Sequence, residues 1–252
     1  MDIGKAFGFI GEDENWVNKL GLGAIFAAIP FINFAVFGYQ IQVARNVAAG
    51  EERPLPTWDD FGKYFLDGLR MIVPVVVLLL PIICLYFAAF IGFFAYIESG
   101  DPAVMANRYS GSEPPMEIFA MMAIMFTCVM PYSLFTYFVM PMFGIQIARK
   151  GTVASCFQVS EMWQLFRSQV GNYILIVLIM FGLYIGAAFV IMPVGLVLSF
   201  IPCIGTILYM FLYGAIILLT MVVTGHMQGQ FIKASETPKS PDDYSDIVAF
   251  DA

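Results

Sequence analysis

The chain has 252 residues, 60% of them hydrophobic and only 12% charged, with a formal net charge of −7. A soluble domain carries about twice that charged fraction, ~25%, because a chain of this size still needs a polar surface around its core. The composition excludes an ordinary water-soluble domain and points to a surface that faces lipid.

The first stretch, 1–19, reads MDIGKAFGFIGEDENWVNK. It lacks a basic start, an apolar run and a small-residue cleavage site, so it does not read as a cleavable signal. Phe7, Phe9, Ile10, Trp16 and Val17 point to a short segment lying on the membrane surface. Beyond it, charge-free runs separate Lys19 from Arg45, Arg70 from Glu98, Glu117 from Arg149, and Arg167 from Lys233. A crossing helix needs roughly 20 apolar residues. The first three runs each fit one crossing. The fourth fits two, with Pro193, Pro202 and Gly205 marking the turn. The expected fold class is therefore an all-α integral membrane protein with about five spans, at 20–44, 70–97, 117–147, 171–198 and 204–230. Barrel strands are excluded because the runs do not alternate apolar and polar residues. In the first run, Pro30 and Asn33 interrupt the pattern at AIPFIN. A kinked span is expected there, with a re-entrant hairpin as the alternative.

The loop after the first span, 45–69, is the most polar part of this region. Gly50, Pro54 and Pro56 stop the preceding helix. Thr57 then caps a new one, with Asp60 three residues on as in a capping box. Trp58, Phe61, Phe65 and Leu69 fall on one face; Asp59, Asp60, Lys63, Asp67 and Arg70 fall on the other. That pattern describes an elbow helix lying in the membrane interface. A second elbow is expected after the third span, because FGYQIQVAR (37–45) is echoed by FGIQIAR (143–149), and Trp58 and Phe61 by Trp163 and Phe166. IPFIN (29–33) and IPCIG (201–205) form a third echo. Together these suggest an internal duplication, which transporters often carry but scaffolds also do.

Basic residues favour the cytoplasmic side of short loops. Arg45, Arg53, Lys63, Arg70, Arg149, Lys150, Arg167, Lys233 and Lys239 share one side of a five-span arrangement; Lys5, Lys19 and Arg108 take the other. The loops 45–69 and 149–170 and the C-terminus are therefore expected in the cytoplasm, and the N-terminus outside. The loop between the second and third spans reads as a solvated hairpin, and 231–252 as a polar, flexible tail.

Several of these residues also carry a resemblance. Gly38 and Tyr39 end a span; Arg45, Asn46 and Gly50 follow; then come Pro54, Leu55, Pro56, Trp58, Asp60 and Phe61; Asp67, Gly68 and Leu69 lead into the next span. This pattern, with a Trp-bearing DENWVNKL at 13–20, resembles a prokaryotic multi-pass family catalogued as domain of unknown function forty-thirteen. The resemblance implies the architecture and a prokaryotic cytoplasmic (inner) membrane, and it implies no established activity.

Candidate chemistry is sparse. His226 is the only histidine. Histidine metal sites usually need more than one such ligand, whereas a haem or chlorin needs one axial ligand. An interfacial polar residue is the simpler reading. Cys84, Cys128 and Cys203 read as packing residues, and Cys156 as a lone lipidation candidate. The methionines around the third span (Met116, Met121, Met122, Met125, Met130, Met140 and Met142) form no thioether ladder along one face. No charge lies between the span ends, which argues against a proton relay, and most glutamines are expected at water-accessible cytoplasmic ends.

No nucleophile–base pair can be named, so no enzyme, cofactor or nucleic-acid partner is expected. The expected function is a structural or accessory subunit of a membrane assembly. It would meet lipid headgroups through Arg45, Arg53, Lys63, Arg70, Arg149 and Lys150, and anchor at the interface through Trp58, Phe61, Trp163 and Phe166. Its partners would be membrane lipids and other subunits or copies of itself. The alternatives are an oligomeric small-solute transporter or channel, and a pigment- or haem-bearing subunit using His226.

Overall fold

The computed structural model describes residues 1–98 and 116–236. The outer loop with Arg108, the tail with Lys239, and the side chains of Met116, Met121, Met122 and Met125 lie outside the described residues. All regular elements within them are helical: α1 Ile3–Gly8, α2 Trp16–Ala28, α3 Phe34–Ala49, α4 Phe61–Glu98, α5 Met116–Lys150, a 3-10 turn Val153–Phe157, α6 Val159–Ser168, α7 Val170–Leu198 and α8 Ile204–Glu236. Four segments are long and apolar enough to cross a membrane: Phe61–Gly92, Phe126–Lys150, Val170–Leu198 and Ile204–Glu236. They coincide with four of the five expected spans.

The fifth, 20–44, is not a span. The chain breaks at Ile29–Asn33 between α2 and α3. Pro30 supplies no donor there, and Phe31 takes a left-handed φ of 67°. Both legs lie on α8. A Cβ added to Gly23 would meet Leu218, and one on Gly214 would meet Ala24 and Ala28. One on Gly225 would meet Gln40, and one on Gly229 would meet Ala44 and Val47. Contacts along α8 therefore run backwards through α2 and forwards through α3. The first run is a re-entrant hairpin, and the kinked-span reading is corrected. The legs satisfy their own backbone as helices, and small residues on α8 let the backbones approach closely.

The hairpin also corrects the placement of the N-terminus opposite the C-terminus. The Asp2 N–H donates to Gln230 Oε1 at 2.7 Å, and Gln230 Nε2 donates to the Asp2 carbonyl at 2.9 Å. The N-terminal segment and the end of α8 thus lie on one side.

The first expected elbow does not form as a separate helix. Thr57 Oγ1 donates to Asp59 Oδ2 rather than capping a turn. The first helical bond runs from Tyr64 N to the Asp60 carbonyl, and α4 then continues unbroken through Pro74 and Pro81. Its first turns are pinned to α3. A Cβ on Gly38 would fall 1.8 Å from the Tyr64 carbonyl oxygen, and one on Gly68 the same distance from that of Phe34. After α5, by contrast, α6 is a separate ten-residue helix ended at Gln169.

The described chain forms two units, Met1–Val73 with Pro141–Ala252, and Pro74–Met140. In the first, the core includes Phe9, Leu20, Tyr39, Tyr64, Leu218 and Val222. In the second, Tyr132 Oη donates to the Leu78 carbonyl at 2.7 Å. Ser133 and Thr136 bond back to their own helix, while Phe87, Phe90, Ile91, Phe126 and Leu134 are exposed.

Candidate functional site

The first unit concentrates its polar chemistry at the end where α3, α5 and α8 finish. Helices α3 and α5 end alike, on left-handed glycines that any side chain would strain: Gly50 at φ 81° and Gly151 at φ 68°. Between them Arg45 forms a joint. Its Nε and Nη2 donate to the carbonyls of Ala148 and Ile147 at 3.2 and 3.1 Å, capping the last turn of α5. Its Nη1 pairs with Asp67 on α4. Asp67 is 2% exposed at its side chain and also takes Arg70 at 2.6 Å. One buried carboxylate thus holds two guanidiniums, an arrangement that fork geometry favours.

The proline loop is fastened group by group. Asn46 Nδ2 donates to the Pro54 carbonyl at 3.0 Å, and Tyr39 Oη to that of Pro56 at 2.9 Å. Lys19 Nζ donates to Leu55 O and pairs with Asp13, both at 2.7 Å. Trp58 stacks on Tyr39 with centroids 4.4 Å apart and donates its indole N–H to the Lys19 carbonyl at 2.8 Å. Phe61 packs edge-on against Phe26 at 5.1 Å. Burial works against the charge of Asp13, but Lys19, the Asn15 N–H and Arg53 hold its carboxyl below the usual range.

The other expected headgroup residues sit around this joint. Arg53 is exposed and pairs with Glu14 at 2.8 Å; Lys63 is exposed on the first turn of α4. Arg149 reaches Glu161 at 3.2 Å and Glu236 at 3.4 Å. Lys150 pairs with Glu161 and donates to Gln158 at 2.7 Å. The hydrogen bond from Lys150, with help from Arg149, outweighs burial and keeps the Glu161 carboxyl low. Trp163 is 51% exposed, stacks on Phe166 at 5.4 Å and carries the Arg167 guanidinium 4.9 Å above its ring. Phe166 turns its edge to Tyr173. Cys156 is buried, and burial pushes its thiol up to about 11, which argues against lipidation there.

Sequence reasoning missed a glutamine core. Gln40, Gln146 and Gln228 are buried rather than water-facing. Gln40 Nε2 donates to Gln228 Oε1 at 2.9 Å, and Gln228 Nε2 to the Pro141 carbonyl at 3.0 Å. Both amide atoms of Gln146 are buried without a partner. The signal that was available is the pair Gly225 and Gly229, a small-residue repeat that marks close helix packing.

His226 is 2% exposed. Phe9 covers its ring at 4.3 Å, and its Nδ1 lies 3.1 Å from Gln230 Nε2. It lines a cavity of about 130 Å³ together with Lys5, Glu51, Glu52, Gln230 and Lys233. Pockets for drug-sized ligands run ~300–1,000 Å³, so this cavity has no room for a haem or chlorin ring.

The echoes noted in the sequence have unequal structural content. Phe31 and Cys203 hold the same place in Ile-Pro-x-Ile and share left-handed φ values of 67° and 60°. One turn type thus joins α2 to α3 and α7 to α8. Arg45 and Arg149, however, end their helices on different partners.

The model of the family described as protein of unknown function (DUF4013) matches residues 22–200. The chain belongs to that family. No curated protein and no solved structure matches it.

Proposed function

We propose that this member of a family of unknown function is a non-catalytic structural or accessory subunit in a prokaryotic cytoplasmic membrane, with its charged end in the inner-leaflet headgroups. The observation that carries this reading is the clustering of charge. All ten described basic residues belong to the first unit, and they gather where the N-terminal segment, the proline loop, the α5–α6 connection and the end of α8 meet. The positive-inside rule places such an end in the cytoplasm. Trp163 is exposed under the Arg167 guanidinium, and Phe157 and Val159 are exposed just before it in the chain, a combination suited to the lipid interface.

Gentle extraction followed by native mass spectrometry with lipid identification tests this reading. A defined assembly, or phospholipid retained on the chain, is expected. A bare monomer without lipid overturns it.

One observation favours a second reading, an oligomeric transporter or channel for a small solute. Re-entrant segments with buried amides are found where membrane proteins line solute paths, and the α2–α3 hairpin with Gln40, Gln146 and Gln228 has that character. Solute flux into liposomes carrying the purified chain, abolished by Gln146→Leu, would move this reading ahead.

A further inference from the structure

We infer that the cavity beside His226 binds a phosphate–ammonium headgroup, of the kind an ethanolamine phospholipid carries. The inference rests on the reading that this end of the molecule lies at headgroup depth.

The first observation is a committed tautomer. Gln230 Oε1 accepts from the Asp2 N–H, which fixes the orientation of the amide. Its Nε2 then donates to the Asp2 carbonyl and to His226 Nδ1. With Nδ1 accepting, the ring proton resides on Nε2. That N–H has no protein acceptor among the described residues, and the ring lines the cavity. It is therefore open to an acceptor that enters the cavity.

The second observation is charge of both signs around a small space. Lys5 and Lys233 supply cations, and Glu51 and Glu52 supply anions. Lys5, Glu51 and Glu52 make no ion pair among the described residues. A Cβ at Gly50 would fall 3.1 Å from Lys233 Nζ, so the glycine leaves room for the lysine head. A simple anion would meet the two lysines and His226 but also two opposing carboxylates. A ligand carrying a phosphate and a primary ammonium complements both signs, with Lys5 facing the phosphate and ammonium hydrogens to donate to the glutamates. A cavity of about 130 Å³ suits a headgroup and excludes its acyl chains. The chains have a place beside it, because Ile3 and Phe7 on α1 are exposed next to Lys5.

The test uses the full chain, delipidated in detergent and titrated in native mass spectrometry with phosphatidylethanolamine, phosphatidylcholine or phosphatidylglycerol. Parallel titrations add soluble O-phosphoethanolamine or inorganic phosphate as competitors. Phosphatidylethanolamine is expected to be retained in preference to both other lipids and to be displaced by O-phosphoethanolamine but not by phosphate. Lys5→Ala and His226→Phe should each weaken retention roughly tenfold, the effect of losing one charge-assisted or buried hydrogen bond. Glu51→Gln with Glu52→Gln should shift the preference towards phosphatidylglycerol. Lys5, Glu51 and Glu52 are exposed, so those variants leave the fold intact even if His226→Phe does not.

Equal or stronger retention of phosphatidylglycerol, or displacement by phosphate alone, overturns the zwitterion assignment. Equal retention of phosphatidylcholine overturns the role of the ammonium hydrogens. Because the soluble competitor acts in detergent, these outcomes are independent of membrane orientation. Failure of the orientation reading would show separately, as inaccessibility of position 52 from the cytoplasmic face.

Discussion

Gly38 and Gly68 are the positions where α3 and α4 come closest. A Cβ at either would sit 1.8 Å from a backbone oxygen, a clash that no rotamer change relieves. Gly38→Ala and Gly68→Ala are each expected to cost about 3 kcal/mol or more, the upper range of overpacking penalties. Gly62→Ala, with open space around it, should be neutral or gain up to ~1 kcal/mol from helix propensity. Thermal unfolding of the three variants in one detergent checks this contrast. Asp67 is the second sensitive residue. Asp67→Asn leaves Arg45 without its counter-charge and should cost about 3 kcal/mol, as removal of one partner from a buried pair does. Arg45→Lys keeps the charge but cannot span Asp67 and the carbonyls of residues 147 and 148 at once. Unfolding midpoints lowered by both variants are expected, and an Arg45→Lys variant as stable as the parent would count against the joint.

At the scale of elements, the two Ile-Pro-x-Ile turns hold non-glycine residues in a left-handed conformation, which costs roughly 1–2 kcal/mol per residue. Cys203→Gly is expected to raise stability by about 1 kcal/mol, since glycine adopts that conformation freely. Calorimetry that found a loss instead would argue that the Cys203 side chain contributes more than its strain. The α5–α6 connection is held by a carboxylate whose affinity for protons is lowered. Its contribution is therefore full above the ordinary glutamate value of 4.5 and is lost as pH falls through the lowered folded-state value. Hydrogen exchange of residues 159–168 should accelerate in that acid range, and Glu161→Gln should abolish the pH dependence.

These elements also show what was legible in the sequence. The spans α4, α5, α7 and α8 were readable because an uncharged run of their length has one stable solution in lipid. The run from 20 to 44 has two, a crossing and a hairpin, and hydropathy does not distinguish them; the decisive features are Pro30 and the left-handed Phe31. Trp58, Phe61 and Phe65 were readable as one apolar face, but periodicity does not say whether lipid or protein covers it. Protein does here, through Tyr39 and Phe26. The joint's residues were visible as a motif, yet the pairing of Arg45 with Asp67 and the burial of Gln146 depend on contacts distant in sequence.

For the whole molecule, the hairpin fixes the parity of the topology. If the four apolar helices each cross once and the first segment returns, the N-terminal stretch, the proline loop, the α5–α6 connection and the end of α8 lie on one side of the membrane. Single cysteines at positions 12, 52 and 152, in a chain otherwise freed of cysteine, should react with an impermeant maleimide from the same side of sealed vesicles. Reaction of position 12 from the opposite side would restore a five-span topology and remove the hairpin.

The pairing of the hairpin with α8 has a consequence for how the protein is made. Gln40 and its partner Gln228 are 188 residues apart, and the ribosome adds roughly 5–20 residues per second. The first two apolar legs leave the ribosome some ~10–40 s before the helix that receives them has been synthesised. During that interval Gln40 lacks the side-chain partner it has in the finished fold. The nascent hairpin must wait at the membrane surface or in the keeping of the insertion machinery, and it docks last although it is translated first. A chain arrested before α8 should therefore leave residues 16–49 open to added protease in membranes exposed on that side, and completion of α8 should protect them.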